Sequence, residues 1–225
     1  MIQTVFLDVD NTLLDFNACA YAAMKNAFAE TGMTFFEDVF STFLEVNDQL
    51  WLLIERGELT RDELHLIRWN TIFKKLDISY NGADFELLFL RNLETASGFI
   101  PGAVELLTYL KPKYTLCLAS NASYKPQMKR LESSGILTYV DKLFISEVLG
   151  YSKPEKDFFD ACFRELGDAD PKHSIIIGDS ISADILGGIN YGIKTCWFNP
   201  EHKPLPEGIK PDYVVHTLFE IQAIL

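Results

Sequence analysis

Six short apolar runs punctuate the chain, at residues 5–9, 115–120, 142–146, 174–178, 194–198 and 212–215. Each is too short for a helix, and none alternates apolar with polar side chains. Strands covered on both faces read this way, which is the signature of a parallel sheet. Between most of the runs lie helical segments, at 102–111, 123–134, 155–166 and 182–191. The alternation predicts an α/β fold built on an open, doubly wound, Rossmann-like parallel sheet. Right-handed crossovers then set the C-terminal ends of the strands along one edge.

The interval 17–95 breaks this rhythm. It contains no strand pattern and reads as four helices, at 17–31, 36–56, 60–76 and 83–95. Gly57 and a capping box, Thr60-x-x-Glu63, separate the second from the third. Gly32 and Asn81-Gly82 mark the other breaks. The chain is therefore expected to have a core domain of residues 1–16 and 96–225, with a helical cap domain, 17–95, inserted after the first strand. An insertion at that point hangs over the strand C-termini. Residues 200–212 read as a Pro-rich surface loop.

Composition narrows the function. An apolar content of 48% supports a sizeable core, and the formal charge of −12 argues against polymeric nucleic acid and anionic membranes as partners. It leaves room for a small anionic substrate, because a metal and one or two local cations can dominate a pocket. The opening MIQTVFLDVD lacks the basic start and apolar stretch of a signal peptide, and no window approaches a membrane span. Cys19, Cys117, Cys162 and Cys196 are far apart and read as reduced, buried thiols in a cytoplasmic protein. His65, His173, His202 and His216 show no ligand spacing.

The chemistry concentrates at strand ends. Asp8 and Asp10, in VFLDVDNTLL, are two apart on an extended segment and so point the same way. Two such charges 4 Å apart repel by roughly 4 kcal/mol at an effective dielectric near 20. A cation, or a proton held on one member for catalysis, relieves that repulsion. A plain helix cap is the alternative for an isolated pair. The run TLCLAS ends at Ser120-Asn121, where a hydroxyl, an amide and the backbone N–H groups of a helix start make either a phosphate cradle or an N-cap. SIIIGD ends in Asp179, with Asp184 about one helical turn further on, a candidate metal site in company with Asp8 and Asp10. Lys153 precedes Pro154, which is expected at the first position of a helix. The lysine is then either solvated or directed into the acidic site. Together these residues lie at four points on one edge of one sheet.

As a set they resemble the motifs of the haloacid dehalogenase-like hydrolase superfamily: DVDNTLL, then SN, then the lysine of SKP, then GDSISAD, over the full chain. The helical insertion is similar to that superfamily's helical cap. Within the cap, VNDQLWLLIERGELTRDEL resembles the pyrimidine 5′-nucleotidase branch. Asn11 departs from the Asp or Gly frequent at that position and is expected to be tolerated.

The resemblance implies a Mg²⁺-dependent phosphomonoesterase. Asp8 would attack phosphorus and carry an aspartyl-phosphate, and Asp10 would protonate the leaving group and then activate water. Mg²⁺ would be held by the Asp8 carboxylate, the Asp10 backbone carbonyl and the Asp179 carboxylate, with Asp184 assisting. Ser120, Asn121 and Lys153 would hold the phosphate. The substrate implied is a small phosphorylated metabolite, a nucleoside monophosphate with pyrimidine preferred. Among the polar cap residues Asn47, Glu55, Arg56, Arg61, His65 and Arg68, most are expected on solvated helix faces, with Arg56 singled out for a substrate contact. Trp51 and Trp69 suit core packing better than stacking on a base. The rival readings are a broad sugar-phosphate phosphatase or phosphomutase, a 2-haloacid dehalogenase, against which Asp10 counts, and a non-enzymatic receiver-type phospho-acceptor.

Overall fold

The computed structural model describes residues 1–96 and 98–225. Contacts divide the chain into two units, one of residues 1–15, 98–124 and 134–225, the other of residues 16–97 and 125–133. The division expected from sequence keeps residues 125–133 in the core. The structure groups them with the helical unit, where Lys129 pairs with Glu94 and the Arg130 guanidinium lies 5.7 Å from the Phe16 ring.

The helical unit contains α1 (Phe16–Thr31), α2 (Glu37–Glu55), α3 (Arg61–Lys75) and α4 (Gly82–Leu93). The capping box forms as read: the Glu63 N–H donates to Thr60 Oγ1 (3.3 Å) and the Thr60 N–H to the Glu63 carboxylate (2.9 Å). Asn81 caps α4 by accepting from the Ala83 and Asp84 N–H groups. The unit packs on an aromatic centre of Phe28, Phe43, Trp69, Phe73, Phe85 and Phe89, with Trp69 and Phe85 ring centroids 4.4 Å apart. Trp69 is fully buried among them, so it serves the core.

The solvated-face expectation fails for Asn47 and Arg68, which are buried. The Arg68 guanidinium donates to the Glu86 carboxylate and, at 2.9 Å, to Asn47 Oδ1. It lies 5.5 and 5.1 Å from the Phe43 and Phe89 ring centroids. Their positions along α2, α3 and α4 turn these polar groups inward, where each finds a partner on a different helix and the buried charges are neutralised as a pair.

The other unit is a six-stranded parallel sheet: β1 (Thr4–Leu7), β2 (Thr115–Ser120), β3 (Lys142–Ile145), β4 (Ser174–Gly178), β5 (Lys194–Phe198) and β6 (Tyr213–Val215), in spatial order β3-β2-β1-β4-β5-β6. The central strands β1 and β4 are buried throughout, as strands covered on both faces must be. Its helices are α5 (Ala103–Leu110), α7 (Ser146–Leu149), α8 (Lys156–Leu166) and α9 (Leu186–Tyr191), α9 being preceded by a π-helical turn at Ile181–Ile185; α6 (Tyr124–Ser134), which follows β2 in the chain, falls with the helical unit over residues 125–133. The strand order reverses direction between β1 and β4. In open α/β sheets the crevice beyond the strand C-termini at such a point is where ligands bind.

Two local expectations are corrected. The first strand stops at Leu7 rather than Val9, because the Val9 carbonyl accepts from the Leu13 and Leu14 N–H groups (2.9 and 2.8 Å) and closes a turn. Pro154 does not start a helix. The Ser152 N–H donates to the Glu155 carboxylate (3.2 Å) and the Glu155 N–H to the Ser152 carbonyl (2.8 Å), so a closed turn holds Pro154 ahead of α8, which begins at Lys156. Among the described residues no helix is long and apolar enough to cross a membrane.

Candidate active site

The end of β1 delivers Asp8 into a nearly buried position, and its N–H still donates to the Ile177 carbonyl of β4 at 2.9 Å. The turn that follows carries Asp10, half-buried, and Asn11 at φ +61°. That left-handed conformation is one that Asn tolerates better than most residues, which accounts physically for its standing where Gly or Asp is frequent. Thr12, fully buried, accepts from the Asp179 N–H through its Oγ1 at 3.1 Å. The turn after β1 is thereby tied to the end of β4.

Lys153 is 1% exposed, which removes the solvated alternative. Its ammonium donates to Asp8 Oδ1 (2.8 Å), Asp184 Oδ1 (2.6 Å) and the Ala119 carbonyl (2.6 Å), so all three protons of the group are used. Burial opposes its charge, but Asp184 and Asp8 together outweigh that and hold the lysine above its ordinary range. The backbone of Lys153 is fixed as well. Its N–H donates to Asn121 Oδ1 at 2.9 Å, and Asn121 Nδ2 donates to its carbonyl at 2.8 Å. Ser120, buried at the end of β2, directly follows the Ala119 that receives the ammonium. Ser146 Oγ accepts from the Ala122 N–H at 3.1 Å and braces the same loop.

Gly178 and Asp184 depend on one another. A Cβ at 178 would lie 2.1 Å from Asp184 Oδ2, so only glycine lets the Asp184 side chain fold back against the strand end. Asp184 is fully buried, and its Oδ2 accepts from the Ser180 N–H at 3.1 Å while Oδ1 takes Lys153. Asp8, Asp179 and Asp184 each offer one carboxylate oxygen within 4.8 Å of the others. Burial raises the Asp8 carboxyl, with Asp184 and Asp10 adding to it against the pull of Lys153, and the group is pushed up to about 7. Burial, then Asp8 and Asp184, raise Asp179 well above the usual carboxylate range. With all three ionised, Lys153 leaves the cluster two charges negative, which is the complement of one divalent cation. The donors are all oxygen, the set that suits Mg²⁺.

A family model for haloacid dehalogenase-like hydrolases matches residues 2–192. The chain belongs to the haloacid dehalogenase-like hydrolase family. Its relatives include YfnB of Bacillus subtilis, 34% identical over 99% of this chain and 95% of that protein. They also include the pyrimidine 5′-nucleotidase YjjG of Escherichia coli, 32% identical over 98% of this chain and 96% of that protein. The pyrimidine 5′-nucleotidase PynA of Streptococcus pneumoniae is 29% identical over 95% of this chain and 90% of its own length. A crystal structure of YfnB bound to magnesium superimposes with a TM-score of 0.94, covering 100% of this chain and 98% of that one. Membership in this hydrolase family replaces the receiver-type reading.

Of the site residues expected from sequence, the sheet unit brings Asp8, Lys153, Asp179 and Asp184 into one cluster and ties Asn121 to Lys153. Arg56 belongs to the helical unit, exposed at the C-cap of α2, its N–H on the Leu52 carbonyl at 3.2 Å. Two residues that touch the cluster escape the sequence reading. Thr12 stands inside the first motif without a role of its own, and Trp197 carries no motif at all. The only sequence sign of Trp197 is an aromatic donor near the end of a buried strand. The four cysteines are free and buried, and burial pushes the Cys117 and Cys196 thiols up to about 12, which suits packing and not nucleophilic chemistry.

Proposed function

We propose that this hydrolase is a divalent-metal-dependent phosphomonoesterase that carries the phosphoryl group on Asp8 and acts on nucleoside 5′-monophosphates, pyrimidines preferred. One observation carries the reaction class: a nearly buried carboxylate, Asp8, sits 2.8 Å from a fully engaged lysine inside a cluster whose remaining charge matches one divalent cation. Such a cluster is arranged to take up a divalent cation, which neutralises it and so admits an anionic substrate.

Asp8 attacks phosphorus, the new O–P bond forming as the ester O–P bond breaks. Asp10 gives its proton to the departing alkoxide. It then takes a proton from the water that attacks the aspartyl-phosphate, releasing inorganic phosphate and restoring Asp8. Ser120 and the backbone N–H groups beyond it hold the non-bridging oxygens, and Lys153, its three protons engaged by Asp8, Asp184 and the Ala119 carbonyl, supplies positive charge beside them. The carboxylates of Asp8 and Asp179, with the Asp10 carbonyl, would hold Mg²⁺, and Asp184 acts behind them by fixing Lys153. The ion, when bound, supplies positive charge that lets an anionic carboxylate approach an anionic phosphate. The same ligand set and the general acid Asp10 weigh against haloacid dehalogenation. The buried, free cysteines support a reducing compartment, the cytoplasm.

Two full-length relatives named as pyrimidine 5′-nucleotidases support the substrate class. The experiment is phosphate release with Mg²⁺ from a panel of UMP, CMP, dTMP, AMP, GMP and hexose phosphates. We expect kcat/KM for the pyrimidine nucleotides to exceed the others by about tenfold, a difference of 1.4 kcal/mol in transition-state binding. Equal values across the panel would remove the nucleotidase assignment and leave the phosphatase one.

A further inference from the structure

Asp179 is gripped by two side chains that take no part in the reaction drawn above. Its N–H donates to Thr12 Oγ1 at 3.1 Å, and the Thr12 hydroxyl lies 3.5 Å from Asp179 Oδ1. Its carbonyl accepts from the indole Nε1–H of Trp197 at 2.9 Å. Thr12 comes from the turn after β1 and Trp197 from β5, where it pairs in register with Gly178. Both are buried, Trp197 at 3% exposure. The peptide groups on either side of the Asp179 Cα are thus each fixed by a different element. An indole offers one donor and no acceptor, so in a buried position its direction is set by the group that receives it. With both peptide planes fixed, the Asp179 carboxylate keeps only its own two torsions, and the Thr12 hydroxyl restrains those.

We infer that Thr12 and Trp197 are positioning residues for the divalent cation: they hold the Asp179 carboxylate toward Asp8 and thereby set cation affinity, while leaving phosphoryl transfer to the other groups. This rests on the reading of Asp179 as a cation ligand. Residues that orient a metal ligand change affinity by about 10–100-fold when removed. Phenylalanine keeps an aromatic ring at position 197 without the N–H, and valine keeps the shape of Thr12 without its hydroxyl.

The test is a Mn²⁺ titration followed by the EPR signal of the free ion, on the wild type and on Trp197→Phe, Thr12→Val, Thr12→Ser and Asp179→Asn, each checked for folding by thermal melting. We expect Trp197→Phe and Thr12→Val to weaken Mn²⁺ binding about tenfold or more, with KM for the phosphomonoester unchanged at saturating metal. Thr12→Ser, which restores the hydroxyl, binds as the wild type does, and Asp179→Asn loses binding. The two weakened variants act through different bonds, so failure of one to fold leaves the other to decide. If a folded Trp197→Phe or Thr12→Val binds Mn²⁺ as tightly as the wild type while Asp179→Asn does not, the positioning role is wrong and the metal assignment stands. If Asp179→Asn binds as tightly as the wild type, the metal assignment fails and this inference falls with it.

Discussion

The Asn121 carboxamide and the Lys153 backbone are joined by two reciprocal hydrogen bonds, Lys153 N–H to Oδ1 at 2.9 Å and Nδ2 to the Lys153 carbonyl at 2.8 Å. A side-chain amide both donates and accepts, which lets it close this pair of bonds. A carboxylate in its place still accepts but cannot donate, and it adds charge beside an acidic cluster. Asn121→Asp is therefore expected to lower kcat/KM by about tenfold or more, the cost of one buried unmade hydrogen bond. Steady-state kinetics on protein shown to be folded by circular dichroism checks this, and unchanged kinetics would mean that Lys153 is placed without Asn121.

Lys153 neutralises two buried carboxylates at once. Removing one partner of a buried ion pair leaves uncompensated charge and costs about 3–5 kcal/mol. Lys153→Met should destabilise the metal-free protein by that order in urea unfolding, and added Mg²⁺ should recover part of the loss. A variant as stable as the wild type would show that the carboxylates are neutralised by other means.

The pH dependence of stability has a definite sign. Burial first, then Asp184 and Asp10, raise Asp8 from 3.8 to about 7 in the fold. Between those values the folded state holds a proton that the unfolded chain has released, so the metal-free protein loses stability as pH rises through this window. Asp179, also raised chiefly by burial, acts in the same direction. A divalent cation held as proposed would bind the ionised carboxylates and offset the loss. Mg²⁺ should thus raise Tm little at pH 5 and by several degrees at pH 8. Equal shifts at the two pH values would contradict the placement of the cation among these groups.

Much of the sheet was legible because its strands are covered on both faces. The limits of β2, β4 and β5 coincide with the apolar runs 115–120, 174–178 and 194–198. Where the chain leaves the ladder, hydrophobicity stops reporting structure. Val9 is apolar and buried yet belongs to a turn, because its carbonyl serves N–H groups further along. The π-helical turn at Ile181–Ile185 has the apolar pattern of an ordinary helix start, so nothing in that pattern marks how it carries Asp184 back against Gly178. The motif residues were visible because polar groups at the ends of apolar strands stand out. Trp197 and the inward face of Asn47 and Arg68 were not. Their roles come from partners on other elements, 18 residues away for Trp197 and Asp179 and 21 for Arg68 and Asn47, and nothing local marks such pairings.

The central claim is that Asp8 carries the phosphoryl group. The most direct measurement quenches the enzyme in acid during turnover of a nucleoside monophosphate, reduces it with borohydride and maps the peptides by mass spectrometry. An aspartyl-phosphate is reduced to homoserine, which is expected at position 8 and at no other aspartate. Full turnover with position 8 always recovered as aspartate, or with the label on another residue, would contradict it.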